Sequence, residues 1–162
     1  MRYRDAASFG KRQEFVAIAE LLRRGYDVYQ TLVDDQQIDC VVRFDGPRRP
    51  RYVDVQIKAR SRNCSKRNAG TFAAMEIRRP RPGFFFVFYS EHADCYWVVP
   101  SLHLVRLARR NKTGANKGRY TVVFTNWSPT RDTVRPRPKF DRYRNNFRLL
   151  GDPEVAPASG TR

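Results

Sequence analysis

The sequence predicts an α/β layered domain built on a mixed β-sheet. A long N-terminal segment has apolar residues at helical spacing, and short apolar, β-branched and aromatic runs follow it, separated by turn residues. Strands interspersed with helices are typical of domains in which helices cover a sheet. At 162 residues the chain can bury one core but is short for two ordinary domains, so we predict one domain over residues 1–150.

The first half of the chain is predicted to be one helix followed by three strands. Apolar residues recur at helical spacing over residues 7–24, and Gly25 supplies a stop. The strands are predicted at 26–33, 37–44 and 51–59. The turn DGPRRP joins the last two strands, the basic segment 60–70 is predicted to be a loop, and the run TFAAMEI stays unassigned.

The second half adds further strands and two helices. Apolar runs predict strands at 83–90, 95–100 and 119–125, and helical patterns predict helices at 101–111 and 140–150. The tail at 151–162 is rich in Gly, Pro, Ala and Ser and is predicted to be disordered. Tyr89, Tyr96 and Trp97 sit within apolar runs, which favours core positions over exposed stacking platforms.

The charge balance points to a polyanionic partner. Lys and Arg number 32 against 16 Asp and Glu, a formal net charge of +16. This excess favours nucleic acid, because the basic residues are scattered over strands and turns and do not line one amphipathic, membrane-binding helix. No stretch resembles a membrane span or a signal peptide, so we expect a cytoplasmic protein. The three cysteines lack metal-finger spacing, and Cys40 and Cys95 lie in apolar runs typical of buried positions.

A polar row on one strand is the main functional signal. Asp54, Gln56 and Lys58 alternate with apolar residues and therefore share one face. If the hairpin closes so that partner numbers sum to 95, Asp39 lies opposite Gln56, with Cβ atoms about 5 Å apart. The Asp39 carboxylate and the Gln56 amide oxygen could then share a divalent ion, with Lys58 one pleat, about 6.6 Å, further along.

This combination suits phosphodiester hydrolysis. A hard cation on oxygen ligands polarises a phosphate and activates water, and an ammonium group stabilises the charge that develops. The competing interpretation is that these residues form the solvated face of a hairpin linked by weak ion pairs.

The motifs resemble the PD-(D/E)XK nuclease superfamily. Asp39 in QID is similar to the first acid of that family, and Lys58 in VQIK to its lysine, while Gln56 stands where Asp or Glu is usual. The VQxK string resembles a branch that includes intron-encoded homing endonucleases and related resolvase-like proteins. Glu14 is similar in placement to a helix glutamate that completes such sites. The resemblance implies a restriction endonuclease-like core, with a mixed β-sheet flanked by helices, and Mg²⁺ or Mn²⁺ held by Asp39, Gln56, the Ile57 carbonyl and Glu14.

Several carboxylates near these motifs have more than one interpretation. Because Gln56 is neutral, we expect weaker metal binding than at a site with two carboxylates, and Glu14 could restore the charge. Asp54 could assist the site, but an ion pair with a nearby Arg, or a position on the rim, is favoured. Glu20 is expected to be a solvated residue of the helix.

Basic segments near these motifs are the predicted DNA contacts, by default to phosphates. They comprise Arg60, Arg62, Lys66, Arg67, Arg109, Arg110, Lys112, Lys117 and Arg119. Arg135, Arg137 and Lys139 could continue the strip or form a stiff linker. We therefore predict a Mg²⁺-dependent DNA endonuclease, expected to be a homodimer or higher oligomer because cutting two strands needs two sites. The alternatives are a catalytically inactive DNA-binding protein on the same fold and a basic RNA-binding protein.

Overall fold

The computed structural model describes residues 3–32 and 36–151. The chain begins with helix α1, Tyr3–Arg23, followed by strands β1, Asp27–Gln30, β2, Cys40–Phe44, and β3, Arg51–Arg60. A short 3₁₀ helix, Lys66–Asn68, precedes β4, Thr71–Met75, β5, Phe84–Ser90, and β6, Cys95–Pro100. The remaining elements are α2, Ser101–Leu107, β7, Arg109–Arg110, β8, Tyr120–Val123, β9, Thr125–Ser128, β10, Thr133–Pro136, and two 3₁₀ helices, Pro138–Tyr143 and Phe147–Leu150.

The main sheet has five strands in the order β1-β2-β3-β5-β6. Its pairs are antiparallel except β3 with β5, which run parallel. This mixed sheet, with α1 packed against it, confirms the predicted fold class. Cys40 pairs with Val55, so the partner numbers of β2 and β3 sum to 95 as predicted. The short turn between the two strands sets this register.

Two smaller sheets complete the fold. One joins β4, β8 and β7, and the other is the β9–β10 hairpin. Phe72 of β4 and Phe124, between β8 and β9, pack against Phe88 of the main sheet, with ring centroids 4.7 and 4.9 Å apart. Trp97 is fully buried and stacks on Phe124 at 4.8 Å, which confirms its predicted core position. The smaller β4-β8-β7 sheet is thereby packed onto β5 and β6.

Parallel pairing of β3 with β5 requires a long crossover, which residues 61–83 provide. The unassigned run TFAAMEI forms β4 within this crossover. The regular elements of this crossover are therefore a short 3₁₀ helix and one strand.

The prediction of a helix over 140–150 was wrong. Two 3₁₀ helices occupy this segment, and Asn145 between them has a positive φ of 50°. Asn145 pairs with Tyr96: its backbone N–H donates to the Tyr96 carbonyl at 2.8 Å, and its side-chain oxygen accepts from the Tyr96 N–H at 2.8 Å. This tertiary pairing to β6 outweighs the local helical pattern.

Two other predictions are revised. Helix α2 ends at Leu107 because Ala108 is extended (ψ 144°) and Arg109–Arg110 pairs with β8. The single strand predicted at 119–125 is divided into β8 and β9, and β9 forms a hairpin with β10 that the sequence pattern did not predict. The predicted disordered tail lies, except for Gly151, outside the described residues.

No helix within the described ranges has the length and hydropathy needed to cross a membrane.

Candidate active site

Asp39 lies where β2 separates from β3. The N–H of Asp54 donates to Gly83 on the β5 side, so the N–H and C=O groups of Val55 and Ile57 point towards β2. Asp39 donates its N–H to the Val55 carbonyl at 2.9 Å and accepts the Ile57 N–H on Oδ2 at 2.5 Å. The Asp39 carboxylate thus takes the place of the backbone carbonyl that would accept the next hydrogen bond between β2 and β3.

The backbone explains why the ladder stops at this point. In a continued register the Ile57 N–H would meet the Ile38 carbonyl. That carbonyl instead accepts the Thr31 hydroxyl at 2.5 Å. The resulting opening contains the Asp39 carboxylate and the Ile57 backbone.

Gln56, next to Ile57 on β3, was the second predicted oxygen donor. It pairs with Phe86 in the parallel ladder, is 1% exposed, and its Oε1 has no hydrogen-bond partner. A buried oxygen left in this state costs about 1–3 kcal/mol, so its retention suits a bound ligand. The predicted pairing of Asp39 with Gln56 is not formed, because the ladder ends at Cys40–Val55 and Asp39 bonds to Val55 and Ile57, the two residues that flank Gln56. The burial of both Asp39, at 8% exposed, and Gln56 argues against a merely solvated hairpin face.

Lys58 follows on the same face and lines a cleft of about 390 Å³. Arg60 and Arg119 line the same cleft. Arg60 is held there by its Nε–H, which donates to the Thr71 carbonyl at 2.6 Å, and by the Phe72 ring, whose centroid lies 5.5 Å from its guanidinium carbon. The structure therefore brings two of the predicted DNA contacts next to the lysine.

Glu14 lies near this site but is engaged elsewhere. Its carboxylate accepts Lys11 Nζ at 2.7 Å. Burial, together with the negative charges of Asp39 and Glu14, raises the pKa of the Cys40 thiol to about 12. Both carboxylates therefore lie within electrostatic range of Cys40, and this thiol is protonated at neutral pH, unlike a nucleophilic cysteine.

The chemistry of a metal site here would depend on mixed oxygen donors. Within the described ranges no three or more His, Cys, Asp or Glu side chains are grouped to hold a metal ion. The oxygen groups on offer are the Asp39 carboxylate, the backbone carbonyl of Ile57, whose N–H that carboxylate accepts, and the buried Gln56 amide oxygen, while Glu14 lies within electrostatic range of Cys40. Oxygen donors of this type suit Mg²⁺ or Mn²⁺ more than softer cations.

Asp54 and Glu20 both bind arginines. Asp54 accepts Arg81 at 2.5 Å, which confirms the favoured ion-pair interpretation. Glu20 accepts Arg23 and Arg24 at 2.8 and 2.7 Å, and the Arg23 hydrogen bond is the largest influence lowering its pKa. Neither carboxylate is therefore a ligand of the Asp39 opening.

Among the described residues, the other predicted DNA contacts do not line the Lys58 cleft. Lys66 forms an ion pair with Asp132, and Arg62 binds Glu91 through its backbone N–H at 2.7 Å. The rest of this group has exposed side chains on loops, short strands and the first 3₁₀ helix: Arg67, Arg109, Arg110, Lys112 and Lys117.

Sequence reasoning missed a second basic surface. Arg78, Arg79 and Arg81, with Gln36, line a cleft of about 500 Å³ beside β3. The string RRPRP was the signal, since it places three arginines within four residues. Trp127 on the β9–β10 hairpin was also missed; it is 36% exposed and lines a smaller cleft of about 120 Å³ with Arg131 and Arg135.

Comparison with known proteins identifies a shared fold. No protein-family model matches the chain, and no curated protein sequence matches it. Among solved structures, the bacterial homing endonuclease I-Ssp6803I matches with a TM-score of 0.55 and 19% identity over 87% of each chain. The protein has a nuclease fold. This nuclease fold includes the mixed sheet that carries Asp39, Gln56 and Lys58.

Proposed function

We propose that this nuclease-fold protein is a Mg²⁺-dependent DNA endonuclease of the PD-(D/E)XK superfamily, in its Gln-containing form. One observation carries the proposal: the buried Asp39 carboxylate is held by the N–H of Ile57, the residue next to Gln56, whose buried amide oxygen lacks a hydrogen-bond partner. The fold shared with a homing endonuclease supports DNA as the substrate.

Asp39, Gln56 and the Ile57 carbonyl are the proposed Mg²⁺ ligands, and Mn²⁺ suits the same donors. Glu14 completes the set after leaving Lys11, which adds the negative charge that Gln56 lacks. When bound, the ion supplies Lewis-acid polarisation of the phosphate and lowers the pKa of water. The Ile57 N–H orients the Asp39 carboxylate.

Lys58 acts on the phosphate from the adjoining cleft. Its ammonium stabilises the charge that builds on the phosphate oxygens and orients the attacking water. Arg60 and Arg119 line the same cleft and bind the DNA backbone beside it. The net charge of +16 attracts the polyanion over a longer range. Cutting both strands needs two such sites, so we expect a homodimer or higher oligomer, measurable as molecular mass by light scattering.

Nicking of a supercoiled plasmid tests the proposal. The parent protein should nick DNA with Mg²⁺ or Mn²⁺ and stop when EDTA is added, and Asp39→Ala or Lys58→Ala should abolish nicking. Asp45→Ala is the matched control, since that carboxylate is 87% exposed and pairs with Arg43 away from the opening. DNA binding without any nicking by the parent would favour the inactive DNA-binding protein. Tighter binding to structured RNA than to duplex DNA at matched salt would favour the RNA-binding alternative.

A further inference from the structure

A basic cleft lies beside the candidate active site, on the side away from Lys58. We call it the arginine cleft and define it by Gln36, Arg78, Arg79 and Arg81, which line about 500 Å³. Its three arginines belong to the connection between β4 and β5, which is the last part of the crossover from β3 to β5. The volume falls within the usual range for a site that encloses a small ligand or part of a larger one.

Arg81 is the most firmly positioned residue of this cleft. Its guanidinium donates to Asp54 at 2.5 Å and to the Arg79 carbonyl at 3.1 Å, and lies 4.7 Å from the centroid of the Phe84 ring. Its backbone N–H donates to Ser101 Oγ at 3.0 Å, and its carbonyl accepts the same hydroxyl at 2.8 Å. These two hydrogen bonds fix the loop to the start of α2, where Ser101 is fully buried. This guanidinium is therefore preorganised for an anionic ligand.

The cleft keeps a positive charge after its internal ion pairs are counted. Arg81 is paired with Asp54, and Arg78 with Glu76 at 2.8 Å. Among the described residues no carboxylate forms an ion pair with Arg79, whose side chain is exposed. Guanidinium groups bind phosphate oxygens in a bidentate manner, and a paired arginine retains further N–H donors for this purpose.

The strand geometry connects this cleft to the candidate active site. Asp54 precedes Gln56 by two residues on the same face of β3, a rise of about 6.6 Å, and Lys58 follows by the same interval. The clefts also adjoin through the 36–37 segment: Gln36 lines the arginine cleft, while Gln37 lines the Lys58 cleft and accepts the Arg78 N–H at 3.4 Å. Arg81, the Gln56 opening and Lys58 thus follow one another along a single path.

We propose that the arginine cleft binds a backbone phosphate of the DNA strand that is cut, adjacent to the scissile phosphate and on the side opposite Lys58. This inference rests on the proposed function for the identity of the strand. Successive phosphates of one DNA strand rise about 3.4 Å along the helix axis and lie further apart along the winding backbone, so one pleat of about 6.6 Å lets a strand lying along β3 place neighbouring phosphates at the two sites. Asp54 is the positioning residue that holds Arg81, and is not a metal ligand.

DNA binding in EDTA tests the cleft without requiring cleavage. The variant Arg78→Ala/Arg79→Ala removes two exposed side chains, so the fold should be retained. We expect duplex DNA affinity, measured by fluorescence anisotropy, to fall roughly 10-fold or more at moderate salt. The slope of log affinity against log salt should fall by about 0.9 for each phosphate that the variant no longer neutralises.

A matched control separates a local effect from overall charge. Arg48→Ala/Arg49→Ala removes the same charge from the exposed turn before β3, roughly 16 Å along the strand from Gln56. This variant should retain the parent affinity within about 2-fold, on the scale of one weak surface interaction. An equal fall in affinity in both double variants would overturn the proposal, because total charge would then explain the binding.

Uncharged analogues of the phosphate linkage show which phosphate of the DNA the arginine cleft binds. Methylphosphonate linkages are placed one at a time along the duplex, and the parent should bind more weakly when the linkage is next to the reactive position. This weakening should disappear in Arg81→Lys, which keeps the charge but not the bidentate geometry. An unchanged methylphosphonate pattern in both Arg81→Lys and Arg78→Ala/Arg79→Ala would contradict the inference. If the parent binds in this pattern yet never nicks plasmid, the proposed endonuclease function fails while the phosphate site stands.

Discussion

The carboxylate of Asp39 accepts a hydrogen bond from the backbone N–H of Ile57 at 2.5 Å. The two residues belong to neighbouring strands, and the bond occupies the position at which the β2–β3 ladder would otherwise continue. The same hydrogen bond therefore ends the ladder and orients the first acid of the candidate site. It also brings this carboxylate beside the Ile57 carbonyl, since both polar groups of one residue face the same neighbouring strand.

Asp39→Asn should separate the structural role of this side chain from its chemical role. The amide oxygen can still accept the Ile57 N–H, so we expect the free energy of unfolding to fall by only about 1 kcal/mol. The removal of the negative charge should reduce Mg²⁺-dependent nicking by about 100-fold or more, since even outer-shell changes cost metal sites 10- to 100-fold. Urea unfolding and plasmid nicking measure the two effects.

The control for Asp39→Asn is Asp45→Asn, which changes an exposed carboxylate and should alter neither measurement. A variant Asp39→Asn that nicks DNA as fast as the parent would remove Asp39 from the active site.

Gln56 should show a trade-off between stability and activity. Gln56→Met replaces the buried, partnerless oxygen with an apolar group of similar size, so we expect the free energy of unfolding to rise by about 1 kcal/mol while nicking is abolished. Gln56→Glu should destabilise the metal-free protein, because it buries a second carboxylate beside Asp39. Thermal unfolding with and without Mg²⁺ measures both effects.

Added Mg²⁺ should raise the melting temperature of Gln56→Glu more than that of the parent, since two carboxylates bind the ion more tightly than one. Gln30→Glu on exposed β1 is the control and should respond to Mg²⁺ as the parent does. Equal Mg²⁺ responses in all three proteins would argue against a metal site at residue 56.

Stability should decline above pH 9 because of two buried thiols. Burial raises the pKa of Cys40 to about 12 and that of Cys95 to about 11, from an ordinary value of 9.0. The unfolded thiols release protons from about pH 9 while the folded thiols keep theirs, so the unfolded state is favoured as pH rises from 9 towards 11–12. The maximum slope is about 1.4 kcal/mol per pH unit for each thiol.

Urea unfolding under reducing conditions between pH 8 and 10 measures this slope before the tyrosines contribute, since their ordinary pKa is about 10. The variant Cys40→Ala/Cys95→Ala should be less stable than the parent at pH 8 but should show a flatter decline. A parent protein whose free energy of unfolding stays constant up to pH 10 would contradict the burial of these thiols.

Gly70 should be intolerant of any side chain. A Cβ at this position would lie 2.6 Å from two side-chain atoms of Thr125 and 2.9 Å from its backbone nitrogen, while the Gly70 carbonyl accepts the Phe124 N–H at 2.9 Å. Gly70→Ala should therefore lower the free energy of unfolding by about 1–3 kcal/mol.

Gly10→Ala is the matched control for Gly70→Ala. Gly10 lies within α1 with no heavy atom within 4 Å of an added Cβ, so alanine should stabilise the protein by about 0.5–1 kcal/mol. Thermal unfolding of both variants checks the pair, and a Gly70→Ala protein as stable as the parent would show that β4 and β9 can move apart at no cost.

The sequence alone determined the helix–strand order of the first half, the face shared by Asp54, Gln56 and Lys58, and the register that opposes Cys40 to Val55. These features depend on a two-residue alternation and a short turn, both of which act between near neighbours in the chain. The first helix and the apolar strands β5 and β6 were predictable for the same local reason.

Only the tertiary structure decided which distant groups meet. The Asp54–Arg81 pair joins residues 27 apart across a crossover, and the Asn145–Tyr96 pairing interrupts a segment whose own pattern is helical. The buried state of the Gln56 oxygen likewise depends on packing around the whole sheet. Such contacts depend on how chain segments cross in space, and a linear pattern of apolar and polar residues does not specify those crossings.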